Sequence, residues 1–265
     1  MNEKISGFLL VNKPAGISTF DIIRIIKKKT GIKKLGHSGT LDPFAEGLVV
    51  ILTGQMTRLF NIFSTFTKTY RAFAEFGKTS DTLDLTGTIT EVAEIPELET
   101  IKNNLEYFTG IIKQTPPIYS AVHVNGVRAY ELARKGITAE LKEREVTVNS
   151  LEINSYEENI LDFNINCSSG TYIRTLASDL AKKCGSAAYL KKLVRTDIGD
   201  FNLKESKPPD EITENDIITP EEGLKRCNIP VITADKILAE KILNGKKLPE
   251  SSNIINNPDS GGGNL

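Results

Sequence analysis

VTVNSLEI (residues 146–153), a six-residue connection, ILDFNINC (160–167) and the Ser168-Ser169-Gly170-Thr171 corner after it decide the fold. In the second segment Leu161, Phe163, Ile165 and Cys167 alternate with Asp162, Asn164 and Asn166, the period of a half-buried strand. The first segment reads as a neighbouring strand, joined to the second by a turn. After Gly170 the period changes. Ile173, Leu176, Ala177, Leu180 and Cys184 share one face of an expected helix over residues 171–184. Working outward, residues 68–77 alternate as well, with Tyr70, Ala72, Ala74 and Phe76 on one face and Arg71, Phe73 and Glu75 on the other. Residues 48–53 read as a continuous apolar strand, 7–11 as a short buried one, and 194–198 as one more. Helices are expected between them. One is capped by Ser18, carries Asp21 in its first turn and stops at Gly31. A second spans 98–108 and ends at Gly110, and a short third spans 128–134. Asn125-Gly126 marks a hairpin turn. Strands joined by turns, helices between them and no regular βαβ repeat predict a mixed α/β (α+β) fold on a largely antiparallel sheet.

The 265 residues suit one large domain with a small appendage. A boundary is expected at Lys207-Pro208-Pro209. Residues 1–209 then form the main domain, and 210–265 an acidic C-terminal segment with a flexible PDSGGGNL tail. The formal net charge of -1 gives no global field toward nucleic acid. Its distribution says more. Residues 1–60 hold nine Lys/Arg against four acids, and residues 165–204 hold seven against three. Residues 81–106 carry seven acids and one Lys. The two basic segments flank the most loop-like motifs, as expected if those motifs face a polyanion; solvated helix faces would produce the same counts.

Three Cys stand far apart with no CxxC pair, and the two His lie in separate segments, so no paired zinc ligands exist. The apolar run at 8–11 is too short for a signal-peptide core, and the run at 48–52 cannot span a bilayer. A soluble, cytoplasmic protein with free thiols and no membrane partner is expected.

KKLGHSGTLDPFAEG (33–47) is a loop with little periodicity. Within it Gly36 and Gly39 permit unusual backbone angles, and Pro43 holds Asp42 extended. That arrangement can aim a carboxylate into a cleft, although an Asp before Pro more often caps its own turn. In SSGTYIR (168–174) a helix begins after a glycine turn, placing Arg174 beside free backbone N–H groups, a local site for a carboxylate or phosphate. An Arg lying over an apolar face would look the same. Tyr70 could stack on a nucleobase or simply fill the core. No GxxxxGK[ST] loop, GxGxxG sequence or GxSxG elbow occurs. The available chemistry is one carboxylate, one Arg and one or two Tyr, suited to covalent or acid/base work without a cofactor. A hydrolase using Asp42 and Glu46 would need a helical segment, which Pro43 disfavours.

LLVNKPAGISTFD, GHSGTLDPFAEGLVVILTGQMTRL, KTYRAFAEFGKTSDTLDLTG, PPIYSAVHVNGVRAYELAR and CSSGTYIRTLASDL together resemble the successive blocks of the bacterial tRNA pseudouridine-55 synthase family, in order, over most of residues 8–200. The resemblance implies a pseudouridine synthase fold with an RNA-gripping insertion at about residues 112–140. It implies isomerisation of one uridine in the T-loop of tRNA, without cofactor or metal; a monomer is expected. It assigns the nucleophile to Asp42, and to Arg174 the pairing with Asp42 that lowers its pKa and keeps it ionised. Tyr70 would pack on the target base and serve proton transfer at C5. His37 would stack in the RNA loop, Leu190 would line the uracil pocket, and Tyr172 and Lys13 complete the substrate-binding set. Two departures stand out. His123 replaces a Lys expected in the insertion. Residues 231–248 look like the start of a PUA-type RNA-binding domain, but the chain then runs into a Gly/Ser/Asn tail.

Overall fold

The computed structural model describes residues 5–91, 93–137, 140–231, 234 and 236–245. In chain order the elements are β1 (Gly7–Lys13), α1 (Thr19–Thr30), β2 (Leu35–His37), β3 (Glu46–Thr53), α2 (Phe60–Phe63), β4 (Lys68–Phe76), β5 (Lys78–Ser80) and β6 (Ile89–Glu91). They continue with α3 (Leu98–Lys102), β7 (Gly110–Gln114), β8 (His123–Val124), β9 (Val127–Arg128), α4 (Ala129–Arg134), β10 (Arg144–Glu157) and β11 (Ile160–Cys167). The last are α5 (Ile173–Lys183), β12 (Ala188–Ile198), β13 (Phe201–Asn202), α6 (Pro220–Arg226) and α7 (Lys236–Leu243).

One sheet runs in the order β1-β3-β12-β4-β11-β10-β7, with β2 paired to β3 and β13 to β12. Every pairing is antiparallel except β3 with β12, which run parallel at Val194↔Glu46 and Arg195↔Gly47. The largely antiparallel mixed α/β fold is therefore as expected.

Alternation decides the two faces. In β1, Leu9 and Val11 enter one core and Phe8 and Leu10 another. In β3, Val49 and Ile51 face the first, and Leu48, Val50 and Leu52 the second. Burial on both sides is why residues 48–53 read as an unbroken apolar run. Helix α1 begins with a Ser18/Asp21 capping box and ends at Gly31 in the left-handed conformation. It lays Ile22 and Ile26 on the first core, beside Ile173, Leu176, Ala177 and Leu180 of α5. Burial of each such side chain contributes roughly 1.5–3 kcal/mol.

Three elements differ from expectation. The helix expected over 98–108 is only α3 and a separate 3₁₀ turn at Leu105–Phe108. Asn103 and Asn104 interrupt it, since Asn side chains compete for backbone hydrogen bonds. Gly110, at φ +85°, then starts strand β7, which pairs with β10. The segment that leaves the sheet thus spans 115–143. Strand β12 begins at Ala188 rather than at 194, because a bulge between Leu190 and Lys192 breaks its alternation.

Residues beyond 209 continue to pack on β1. Ile218 exchanges backbone hydrogen bonds with Phe8, and Lys207 with Leu10 and Asn12. Ile212 belongs to the first core, while Cys227 and Ile229 belong to or pack on the second. The boundary expected at 207–209 falls inside this packed stretch. The tail after residue 245 lies outside the described residues; of the PUA-like segment expected over 231–248, residues 231, 234 and 236–245 are described and include α7.

Candidate active site

Asp42 stands on the loop between β2 and β3, and the loop is pinned at both ends. Ser38 exchanges hydrogen bonds with Val50, its N–H donating to the carbonyl (2.9 Å) and its Oγ accepting from the amide (3.2 Å). Thr19 Oγ1 accepts from the Leu41 amide at 3.0 Å. At the other end, Gly16 N–H donates to the Pro43 carbonyl (2.8 Å). Lys13 Nζ donates to the carbonyls of Pro14 (2.8 Å), Ile17 (2.7 Å) and Pro43 (3.1 Å). Leu41, Phe44 and Ala45 anchor the loop in the core.

Arg174 comes from the first turn of α5 and meets Asp42. Its Nε lies 2.9 Å from Asp42 Oδ2, an ion pair by distance rather than an aligned hydrogen bond. Nη1 donates to the Thr82 carbonyl and Nη2 to the Tyr119 carbonyl, both at 2.9 Å. Nη1 also lies 3.3 Å from Asp84 Oδ2. Asp84 is held in turn by the Thr86 amide (2.9 Å), Thr86 Oγ1 (2.5 Å) and Thr82 Oγ1 (2.9 Å). Arg174 is 3% exposed, and its guanidinium has one orientation open to it.

A cavity of about 230 Å³ opens beside this pair, lined among others by Asp42, Lys68, Tyr70, Tyr172, Leu193 and Arg195. Burial pushes the Asp42 carboxyl above the usual carboxylate range. The Arg174 charge opposes that, Asp84 adds to it, and Lys13 opposes it more weakly. The pairing was expected to lower this pKa; desolvation outweighs it. Burial also pushes the Tyr70 phenol up, against the Arg195 charge. Tyr70 is therefore neutral and a donor.

Asp42, Tyr70, Tyr172 and Arg174 thus meet at one cavity. Three other predicted residues stand elsewhere. Leu190 is fully buried in the core, and the bulge that follows it turns Leu193 to the cavity instead. Lys13, also fully buried, spends its ammonium on three carbonyls and fixes the loop rather than facing RNA. His37 sits between Phe20 and Phe60, edge-on to both, and its Nδ1 accepts the Gly39 amide. His123 is exposed on the β8–β9 hairpin. Asp84, Lys68, Arg195 and Gln114 also belong to the site, although sequence reasoning singled out none of them. Gln114 grips both backbone groups of Tyr172, accepting from the amide at 2.7 Å and donating to the carbonyl at 3.0 Å. The one signal was DTLDLTG, whose closely spaced Asp and Thr suit a self-bonded turn. Among the described residues no cluster of three or more His, Cys, Asp or Glu could hold a metal ion, and no helix is long and apolar enough to cross a membrane.

The family model for the N-terminal domain of TruB family pseudouridylate synthases matches residues 27–173, more than half of the chain. The chain belongs to the TruB family. This TruB-family isomerase is 41% identical over 235 residues to the tRNA pseudouridine synthase B of Borreliella burgdorferi, covering 88% of this chain and 83% of the relative. To the tRNA pseudouridine synthase B of Caldanaerobacter subterraneus it is 38% identical over 256 residues, covering 95% and 89%. A chain in the crystal structure of a Cbf5-Nop10-Gar1 complex shares the fold at a TM-score of 0.60 and 24% identity, covering 80% of the TruB-family chain and 53% of that chain.

Proposed function

We propose that this enzyme isomerises the uridine at position 55 in the T-loop of tRNA, acting as a cytoplasmic monomer on the T-arm. The observation that carries the reading is the Asp42–Arg174 pair at a cavity holding Tyr70 and Leu193. Its volume, about 230 Å³, lies below the range of drug-sized sites and suits a single nucleoside. Relatives named tRNA pseudouridine synthase B support tRNA as the substrate.

The target base is flipped out of its loop, at a cost of a few kcal/mol, and enters the cavity. His37, fixed beside two aromatic rings, takes the space vacated in the loop. Tyr70 and Leu193 pack on the base. Asp42 acts ionised at the ribose or the base, and Arg174 holds its carboxylate in place through chemistry that changes the charge on it. The C1′–N1 bond breaks, the ring turns, and C5 joins C1′. A service of Tyr70 as base at C5 requires its phenolate, which burial disfavours.

The test is T-arm RNA tritiated at uridine C5, incubated with wild type and with Asp42→Asn. Release by wild type alone is the expected result. Tight binding without release by either protein makes the chain an RNA-binding or folding protein and sinks the catalytic reading. Free uracil as product would make it a hydrolase.

A further inference from the structure

Among the described residues, two cations line the cavity without an ion-pair partner. Arg195 is 1% exposed and Lys68 6%. Arg195 Nε donates to the Leu48 carbonyl at 2.8 Å, and Nη2 reaches the Gly39 carbonyl at 3.4 Å. Lys68 Nζ donates to the carbonyls of Phe63 (3.2 Å) and Phe66 (3.1 Å). Carbonyls satisfy donors but bring no countercharge. Among the described residues no carboxylate lies within 4.0 Å of either cation, whereas Arg174 in the same cavity has two. A buried charge without a partner is destabilising. Burial and the nearby Arg195 charge push the Lys68 ammonium down to about 8. Two such groups in one cavity form a site that an anion would complete.

Depth identifies the anion. The exposed lining residues are Thr40, Ala121 and Gly170; the buried ones include Lys68, Tyr70 and Arg195. A flipped nucleotide enters base first, so its phosphates stay near the exposed residues and its base reaches the cations. A neutral uracil does not need them. Cleavage of C1′–N1, with the bonding pair going to N1, creates a uracil anion whose charge spreads to O2 and O4.

We propose that Arg195 and Lys68 hold the uracil anion between cleavage of C1′–N1 and formation of C1′–C5. The inference rests on the cavity being the uridine site. The cations stabilise the charge as it develops and keep the free ring enclosed while it turns. C1′ passes to the Asp42 carboxylate as its bond to N1 breaks. A pair from the anion then forms C5–C1′ and returns the bonding pair to the carboxylate. The C5 proton passes to water, N1 takes a proton from water, and the net change is an isomerisation. Tyr70, a neutral phenol in the same lining, supplies an uncharged donor.

The test compares T-arm RNA carrying uridine or 5-fluorouridine at the target, with wild type, Arg195→Gln and Lys68→Met. The readout is the single-turnover rate of C1′–N1 cleavage. Fluorine stabilises the leaving anion by itself, so the cations matter less when it is present. Each variant is expected to slow cleavage of uridine on the order of a hundredfold, and of 5-fluorouridine roughly tenfold less than that, with RNA affinity unchanged. Equal slowing of both substrates would reduce the cations to positioning the loop and would overturn the proposal. So would weaker RNA binding with a shallower salt dependence, which would place a backbone phosphate on them. If Arg195→Gln melts below the assay temperature, Lys68→Met alone decides by the same comparison. Failure of wild type to release tritium would strike the uridine-site reading itself, a result separate from these.

Discussion

Replacing Arg174 by alanine removes four contacts at once: ion pairs to Asp42 at 2.9 Å and Asp84 at 3.3 Å, and bonds to the carbonyls of Thr82 and Tyr119 at 2.9 Å. Asp84, 4% exposed, is left as an unpaired buried charge, a change that typically costs about 3–5 kcal/mol. Asp42 keeps 35% of its side-chain surface, so solvent screens part of its loss and the lower end of that range applies. The sharper effect is on ionisation. Burial already raises the Asp42 pKa, and the largest opposing influence is the Arg174 charge. Without it the pKa climbs further, by 1.36 kcal/mol of lost carboxylate stabilisation per unit. On the proposed reading Asp42 works ionised, so rate is lost as pH falls through its folded pKa. The acid limb of the wild-type profile should therefore lie above the usual carboxylate range, and that of Arg174→Ala higher still. The same raised pKa makes ionised Asp42 a destabilising group. Its contribution to stability is full below the unfolded pKa and is lost as pH rises through the folded one. Single-turnover tritium release across pH, with RNA affinity by filter binding, checks this. The expected loss at neutral pH is about 10²–10³ in rate, with affinity nearly unchanged. An unmoved acid limb, or equal losses of rate and affinity, would show that Arg174 is chiefly a phosphate contact and refute the reasoning.

Three further substitutions probe the supports of the site. Lys13→Met orphans three carbonyls, at roughly 1–3 kcal/mol for each that stays buried, and should lower kcat while the salt slope of RNA binding stays fixed; a slope shallower by about one would return Lys13 to the phosphate-contact role. Gly47→Ala puts a Cβ 2.3 Å from the Arg195 carbonyl oxygen at φ +107°, so urea unfolding should show a loss above about 2 kcal/mol; a near-neutral result would contradict the β3–β12 junction. Gly223→Ala drives a Cβ to 2.1 Å from the Phe8 ring, and overpacking of about 1–3 kcal/mol should lower Tm by roughly 2–12 °C. No shift would mean that α6 is not part of the folded body.

The strands were legible where one periodicity ran uninterrupted. Residues 160–167 appear as β11 with the expected bounds, and the Ser18 and Gly31 signals frame α1. What escaped depends on the third dimension. Strand β7 holds only five residues, the first of them a left-handed glycine, and takes its identity from pairing with β10. The bulge after Leu190 is invisible in a list of apolar residues, yet it decides that Leu193 and not Leu190 meets the cavity. Lys13 looks like any basic loop residue until three carbonyls are found around its ammonium. The Asp42–Arg174 pair joins residues 132 positions apart, and only the family resemblance, not spacing, could connect them. The direction of the Asp42 pKa was misjudged for a related reason: sequence shows a partner but not the depth at which the two meet.

The place where the sheet departs from its antiparallel rule is also where the chemistry sits. Arg195 pairs by backbone with Gly47 in the parallel junction, and its side chain reaches Leu48 on β3 and Gly39 on the loop that carries Asp42. One residue therefore ties the sheet, the loop and the cavity lining together. The close approach it needs is possible because position 47 has no Cβ. From the other side Arg174, fixed by α5, binds the same loop through Asp42 and the 81–87 turn through Asp84. The loop that carries Asp42 is thus held by two buried arginines on separate elements, Arg174 at the carboxylate and Arg195 at the Gly39 carbonyl, so its position does not depend on the substrate. That preorganisation offsets the cost of burying so many charges: Arg174 holds Asp42, and on the proposed reading Arg195 and Lys68 meet the charge as it moves onto the base.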